Sequence, residues 1–179
     1  MLNLENTAVV IVDVQGKLAT LMYEKEQFFQ NIAKLIKGSQ ELELPILWNE
    51  QLPDKLGETI PEIKELFTND KPYIKSSFSC CGNDDFNKQL SSLNRKNILL
   101  AGMETHVCVY QTALDLLDSG YNVFIVADAV SSRTLENKQI GIEAIRENGA
   151  SITCVEMAFF EMLKEAAGEK FKKIIKIVK

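Results

Sequence analysis

The chain has 179 residues, of which 46% are hydrophobic and 25% are charged, and its formal net charge at pH 7 is −5. This length allows one sizeable core, and no stretch rich in proline, glycine and serine divides it, so we expect a single domain over residues 1–179. The acidic balance argues against a nucleic-acid partner, because phosphate binding needs a positive patch. No apolar stretch approaches the roughly 18 residues that a membrane span needs, so we expect no membrane partner.

The amino-terminal segment, MLNLENTAVVIVDVQ, lacks the basic segment, hydrophobic stretch and cleavage site of a secretion signal, so we predict a cytoplasmic protein. The 4 cysteines are too few and too irregularly spaced for a disulfide framework, which predicts reduced thiols. With 1 histidine and no CxxC pair, the sequence predicts no metal site, and no motif in it predicts a cofactor.

Short apolar runs alternate with longer amphipathic segments, a pattern typical of β-α units that feed a parallel sheet. The predicted strands cover residues 7–14, 44–50, 97–102, 121–128 and 150–156. The predicted helices cover residues 25–43, 58–67, 84–93, 106–119, 135–148, 156–165 and 169–177. The segment KPYIKSSF, residues 71–78, fits either a short edge strand or an extended loop. The sequence therefore predicts an α/β fold, a three-layer α/β/α sandwich with a doubly wound, mostly parallel, Rossmann-like sheet of about six strands.

The carboxyl-terminal segment, EKFKKIIKIVK, is the one basic cluster of the chain. Its apolar residues recur at helical spacing, at Phe171, Ile174, Ile175 and Val178. This spacing favours a terminal helix with a solvated basic face over a membrane anchor.

In doubly wound sheets, ligands bind outside the carboxyl ends of the strands. The residues that follow the predicted strands are Asp13, Val14, Gln15, Asn49, Glu50, Gln51, Met103, Glu104, Thr105 and Asp128. A functional site is therefore expected among these residues and the neighbouring loops.

Cys108 falls in the first turn of a predicted helix that begins near Thr105 or His106. Unpaired backbone N–H groups and the positive end of the helix dipole lower a thiol pKa there, so Cys108 is a candidate nucleophile. The alternative is a small buried hydrophobic residue. His106 stands two positions earlier, and residues so spaced point to different sides of a helix, so the base for this thiol is expected to be a carboxylate elsewhere.

Asp13 is the strongest carboxylate candidate, because it ends the most apolar strand of the chain, AVVIVD. A carboxylate there is costly unless it is paired or faces a cleft, although it can also cap the following turn. Lys75, in YIKSSF, can bring an ammonium group to the same cleft or lie on the surface. The sequence has no GxGxxG, GxxxxGK[ST] or GxSxG motif, and SFSCCGND lacks metal-ligand spacing.

Three segments together resemble the isochorismatase-like cysteine hydrolase superfamily, which includes nicotinamidases, carbamoylsarcosine amidases and isochorismatases. They are VVIVDVQ in the first strand, KSSFS at 75–79 and AGMETHVCV at 101–109. The runs GMETHVCVYQTALDLLDSGYNVFIVADAVSSR and NEQLPDKLGETIPEI are similar to the isochorismatase-domain-containing branch. The resemblance covers essentially the whole chain.

This resemblance implies a catalytic triad of Asp13, Lys75 and Cys108. It also implies a cis peptide bond between Met103 and Glu104, and an oxyanion hole formed by the backbone amides of Glu104 and Cys108. Cys108 would attack a carbonyl carbon while Asp13 accepts the thiol proton, with Lys75 and the helix end favouring the thiolate.

The chain departs from two branches of the family. It lacks the Asp-x-His and further His of the metal-assisted nicotinamidases, having WNEQLPDKLG instead, and it keeps a Cys where the isochorismatases proper lack the nucleophile. The expected substrate is therefore a small molecule with an amide or ureido C–N bond. Candidate substrate-binding residues, each also readable as a loop or packing residue, are Gln15, Glu50, Gln51 and Phe78.

Two other functions remain open on the same fold. One is a non-hydrolytic thiol protein that binds a metabolite or senses redox state, and the other is a vinyl-ether hydrolase that acts through Asp13. Family members commonly form dimers to octamers, so the resemblance also implies a homo-oligomer.

Overall fold

The computed structural model describes residues 1–68 and 71–179. Within this part of the chain, the sheet has 6 strands in the order β3-β2-β1-β4-β5-β6, and neighbouring strands pair in parallel. The strands are β1 (Thr7–Val12), β2 (Ile46–Gln51), β3 (Tyr73–Lys75), β4 (Asn97–Met103), β5 (Asn122–Ser131) and β6 (Ser151–Thr153). The predicted doubly wound α/β sandwich is confirmed, and residues 73–75 of the ambiguous segment form the edge strand.

Helices connect the strands. They are α1 (Gly16–Ala19), α2 (Lys25–Glu41), α3 (Pro53–Leu56), α4 (Pro61–Lys64), α5 (Asp84–Ser92), α6 (Tyr110–Asp118), α7 (Leu135–Glu147), α8 (Val155–Leu163) and α9 (Gly168–Val178). A 3-10 turn spans Cys80–Gly82, and a π-helical turn, Thr105–Val109, leads into α6. The predicted helix at 58–67 is wrong in extent, because a proline opens the single turn α4 and the chain leaves the helix at Glu65.

The core has two layers, one on each face of the sheet. Strand β1 is buried throughout and alternates between them: Val9 and Ile11 pack with α2, α8 and α9, whereas Val10 and Val12 pack with α5, α6 and α7. Burial on both faces explains why the strands are nearly continuous apolar runs.

Strands β1 and β4 approach each other closely at their carboxyl ends. Gly102 of β4 has φ +140°, and a Cβ there would lie 2.2 Å from the carbonyl oxygen of Val12. The β4–β5 pairing is irregular at the same level, between Leu100 and Gly102. Glycine at 102 therefore lets the loops that follow β1 and β4 share one edge of the sheet.

Candidate active site

Three neighbouring strands are each followed by a left-handed residue at this edge. Asp13 after β1 has φ 53°, Leu52 after β2 has φ 41°, and Glu104 after β4 has φ 57°. The left-handed conformation costs a residue with a Cβ roughly 1–2 kcal/mol, and such residues cluster at functional sites. These turns direct the chain so that the strand ends surround a cavity.

The cavity has a volume of about 230 Å³. Its lining combines carboxylates, amides, a thiol and apolar side chains. The lining residues are Asp13, Gln15, Leu18, Gln51, Leu56, Phe78, Met103, Glu104, Val107 and Cys108. The structure thus brings the ends of β1, β2 and β4 together with Cys108, as the sequence predicts.

Lys75 lies beneath this cavity with no exposed side-chain surface. Its Nζ is 2.6 Å from Asp13 Oδ2 and 3.2 Å from Gln51 Oε1. It also donates to the carbonyl oxygens of Ser77, at 3.1 Å, and Phe78, at 2.9 Å. The ammonium group is therefore fully surrounded by acceptors, which offsets the cost of burying its charge.

Asp13 is 3% exposed, and its two carboxylate oxygens differ. Oδ2 accepts from Lys75, whereas Oδ1 is buried and makes no hydrogen bond of normal geometry. Burial raises the pKa of this carboxyl, and the opposing effects of Lys75 and of the nearby Cys108 thiol are smaller. Asp13 thus has an open acceptor oxygen and a raised proton affinity.

The Cys108 thiol lies between these groups and the cavity. Its Sγ donates to Gln51 Oε1 at 3.4 Å. Burial, followed by the charge of Asp13, raises the pKa of Cys108 to about 12, although Lys75 lowers it. The expectation of a lowered thiol pKa is therefore wrong, because desolvation and the buried Asp13 carboxylate outweigh the ammonium group of Lys75.

The Met103–Glu104 peptide bond is trans, since residues 1–68 and 71–179 contain no cis bond. The predicted cis bond is therefore wrong. The left-handed backbone of Glu104, with φ 57° and ψ 58°, makes the turn from β4 into the π-helical turn instead.

Helix α7 packs against the backbone of the π-helical turn that carries Cys108. A Cβ on Gly141 would lie 2.8 Å from both His106 N and Thr105 C, closer than real Cβ contacts. Glycine at this helix position lets α7 support the turn directly.

Two side chains that precede Cys108 in the sequence have partners of their own. His106 Nδ1 lies 3.0 Å from Ser132 Oγ. The carboxylate of Glu104 pairs with Arg133, with distances of 3.3 Å to both Nε and Nη2. His106 is thus engaged with another partner, while Glu104 is a lining residue of the cavity whose carboxylate is held by Arg133.

The four predicted substrate-binding residues have different positions. Gln51, Phe78 and Gln15 line the cavity. The side-chain amide of Gln15 is hydrogen-bonded to the backbone of Gln51 and Gly57. Glu50 is absent from the described lining, because its Oε1 accepts from Thr59 N at 2.6 Å and Thr59 Oγ1 at 2.8 Å.

The apolar wall of the cavity includes Leu18, Leu56, Met103 and Val107. Of these four residues, sequence reasoning named only Met103 and missed the other three. Met103 directly follows the predicted strand, so its position gave a signal, whereas Leu18 and Leu56 lie in one-turn helices that show no periodicity.

Residues 1–68 and 71–179 contain no group of three or more His, Cys, Asp or Glu residues arranged to hold a metal ion. They also contain no helix long and apolar enough to cross a membrane.

Comparison with known proteins agrees with the fold. A family model described as the isochorismatase domain matches residues 7–157. Isochorismatase family protein 1B of Dictyostelium discoideum is 36% identical over 179 residues, covering 98% of this chain and 87% of the relative. The α/β sandwich is the fold of these isochorismatase-domain proteins. The chain belongs to the isochorismatase family.

Solved structures superpose closely. The MAR1 ribonuclease from Caenorhabditis elegans gives a TM-score of 0.92 at 32% identity, covering 99% of this chain and 91% of that one. The YcaC gene product of Escherichia coli, described as an octameric hydrolase of unknown specificity, gives a TM-score of 0.91 at 25% identity. The match covers 98% of this chain and 88% of that one.

Proposed function

We propose that this protein is a metal-independent cysteine hydrolase that cleaves an amide or ureido C–N bond of a small molecule, with Asp13, Lys75 and Cys108 as its catalytic triad. The observation that carries the proposal is the unpartnered Oδ1 of Asp13 beside the Cys108 thiol, with Lys75 bound to the other oxygen. A buried carboxylate with an open acceptor and a raised pKa is a suitable base for a neutral thiol.

The reaction begins from the protonated thiol. As Cys108 Sγ attacks the carbonyl carbon, its proton passes to Asp13 Oδ1, so the high thiol pKa does not require a free thiolate at rest. Asp13 then protonates the leaving nitrogen, and the C–N bond breaks to leave a thioester. Asp13 next takes a proton from water, the hydroxide attacks the thioester, and the proton returns to Sγ as the acid departs.

Lys75 favours the ionised form of Asp13 in the two steps in which Asp13 accepts a proton, from the thiol and from water, because its ammonium group opposes the effect of burial on the Asp13 pKa. The backbone amides of Glu104 and Cys108 are proposed as the oxyanion hole. The first N–H groups of a helix lack acceptors within it, and one oxyanion donor contributes about 3 kcal/mol.

The other functions are less well supported. A redox-sensing thiol is typically exposed with a low pKa, whereas Cys108 is 7% exposed and its pKa is raised. An RNA substrate, suggested by the name of the C. elegans protein, fits poorly with a net charge of −5 and a cavity of about 230 Å³. By likeness to the E. coli octamer, we also propose a homo-oligomer. The cytoplasmic location stays a prediction.

The test is a screen of small amides and ureas with the wild-type protein and the Cys108→Ala and Cys108→Ser variants. We expect turnover of at least one compound to fall by about a thousandfold or more in both variants, as for loss of other covalent nucleophiles. Cys81→Ala is the matched control and should keep full activity, because Cys81 lies outside the cavity lining. Turnover that survives in Cys108→Ala but stops in Asp13→Asn would instead favour acid catalysis of vinyl-ether cleavage.

A further inference from the structure

We infer that the cavity above Cys108 selects uncharged or cationic molecules with N–H donors and rejects carboxylates and other anions. The inference rests on the proposed function only in taking Cys108 as the reacting group. It narrows the substrate to a small amide, urea or amine-bearing amide without an acidic group.

The charged groups that line the cavity are acidic. Asp13 and Glu104 are the lining residues that carry a charge, and none of the described lining residues is lysine, arginine or histidine. An anion entering this space meets two carboxylates without a cation on the same surface. A like charge about 4 Å away costs on the order of 1 kcal/mol in water and more in a partly desolvated cleft.

The two nearby cations are directed away from the cavity. Lys75 has no exposed side-chain surface, and its Nζ faces Asp13, Gln51 and two backbone carbonyls, which occupy its three N–H donors. Arg133 is absent from the lining and pairs with the Glu104 carboxylate. Neither cation offers a carboxylate-binding site on the cavity side.

Glu104 keeps open acceptor positions. Each of its carboxylate oxygens receives one contact from Arg133, although a carboxylate can accept about four hydrogen bonds. An amide or urea NH₂ group matches these acceptors. Much of the remaining wall, which includes Leu18, Leu56 and Met103, is apolar. The volume of about 230 Å³ is below the roughly 300–1,000 Å³ of drug-sized ligand sites, so the molecule is small.

The experiment compares two thiol reagents that differ in charge and little else, iodoacetamide and iodoacetate. Rate constants for alkylation of Cys108 are measured by mass spectrometry at one fixed, mildly alkaline pH, and the ratio is divided by that for glutathione to remove intrinsic reactivity. We expect the corrected ratio to favour iodoacetamide by at least about tenfold, from repulsion of iodoacetate.

Glu104→Gln tests the cause, and we expect the corrected ratio to fall severalfold in this variant. Glu41→Gln is the matched control, because it removes the same charge from the exposed pair that Glu41 of α2 forms with Lys173 of α9. This variant should leave the corrected ratio unchanged. A corrected ratio near or below one in the wild type overturns the inference, and so does an equal change in both variants.

A binding measurement separates this inference from the proposed function. Saturation-transfer NMR on Cys108→Ala compares butyramide with butyrate, which have the same chain length. Stronger saturation of butyramide supports the inference even if Cys108 of the wild type reacts with neither iodoacetamide nor iodoacetate. Such a lack of reaction would count only against Cys108 as the nucleophile. Equal or stronger binding of butyrate overturns the charge selectivity whatever Cys108 does.

Discussion

Two lysine–carboxylate pairs in different regions of the molecule have opposite surroundings. Between α9 and α2, Lys173 Nζ lies 2.8 Å from Glu41 Oε2, and the side chains are 58% and 38% exposed. Under the cavity, Lys75 Nζ lies 2.6 Å from Asp13 Oδ2, and the side chains are 0% and 4% exposed. The distances are similar, so the difference between the regions is access to water.

That difference decides what each pair does. An exposed pair contributes about 0–1 kcal/mol, because water screens it and ordering two long side chains costs entropy. A buried pair has a large desolvation cost, so it is weak evidence for stability, but removal of one partner leaves a buried charge. Burial raises the pKa of Asp13 in spite of Lys75, which suits Asp13 to accept a proton as the proposed function requires. We therefore interpret the surface pair as a solvated contact and the buried pair as part of the chemistry.

The largest expected effect is on stability when each lysine is replaced by methionine. Lys75→Met leaves Asp13 buried without its cation, and we expect the free energy of unfolding to fall by about 3–5 kcal/mol. Lys173→Met should change it by less than about 1 kcal/mol. Urea unfolding followed by circular dichroism measures both. Similar losses in the two variants would contradict the comparison.

The double variant Lys75→Met with Asp13→Asn sharpens this result. Asparagine tolerates the left-handed backbone at position 13 and carries no charge, so no unpaired carboxylate remains. We expect at least half of the lost stability to return, while turnover stays absent because the base is gone. Recovery of turnover together with stability would show that the pair serves folding alone.

The next effect concerns the thiol. Cys108 has a pKa of about 12, partly because of the charge of Asp13. Asp13→Asn removes that negative charge and keeps Lys75, so the thiolate becomes more favourable and the pKa falls, by about 1–3 units for a charge at this range. The alkylation rate of Cys108 by iodoacetamide, measured from about pH 7 to about pH 11, should therefore level off at a lower pH in the variant.

Turnover separates the two roles of Asp13. The same Asp13→Asn protein should react faster with iodoacetamide and yet hydrolyse no amide, because asparagine cannot accept the thiol proton. Unchanged alkylation profiles would mean that Asp13 does not act on the thiol. Cys81 serves as the internal control in each digest. Burial raises the pKa of Cys81 to about 11, and Asp13 is not among the causes of that shift.

Sequence patterns located the strands and their ends because those signals are local. Near-continuous apolar runs mark strands buried on both faces, and Asp13, Gln51 and Glu104 stand at the ends of such runs. The wall residues Leu18 and Leu56 escaped notice, since helices of 4 residues are too short to show a period. Glu50 was expected at the cavity, but its side chain is turned to Thr59 by contacts that close a loop.

Properties that depend on three-dimensional surroundings could not be predicted. The helix start suggested a low thiol pKa for Cys108, but the desolvation that raises it arises from packing of distant segments. The left-handed backbone of Glu104 is likewise a turn geometry that no local pattern encodes. Residue identity at the site was therefore predictable from the sequence, whereas its protonation and backbone geometry were not.

The smallest expected effect compares two glycines inside helices. A Cβ on Gly141 of α7 would meet the backbone of His106 and Thr105 in the π-helical turn at 2.8 Å. A Cβ on Gly38 of α2 would meet the Phe159 ring at 2.3 Å, away from the cavity lining. Both Gly→Ala variants should lose about 1–3 kcal/mol of stability by overpacking, which urea unfolding measures.

Only one of these two variants should affect the thiol. Gly141→Ala pushes α7 against the turn that carries Cys108, and a displacement of about 1 Å at a reacting group can cost up to a hundredfold in rate. We expect a slower alkylation rate and a lower kcat for Gly141→Ala at unchanged thiol pKa, and wild-type values for Gly38→Ala. Equal kinetic losses would indicate that general destabilisation, and not the position of the π-helical turn, limits the reaction. A loss confined to Gly141→Ala would mean that the close helix contact holds Cys108 in reach of Asp13, which is a role that the buried lysine pair alone cannot fill.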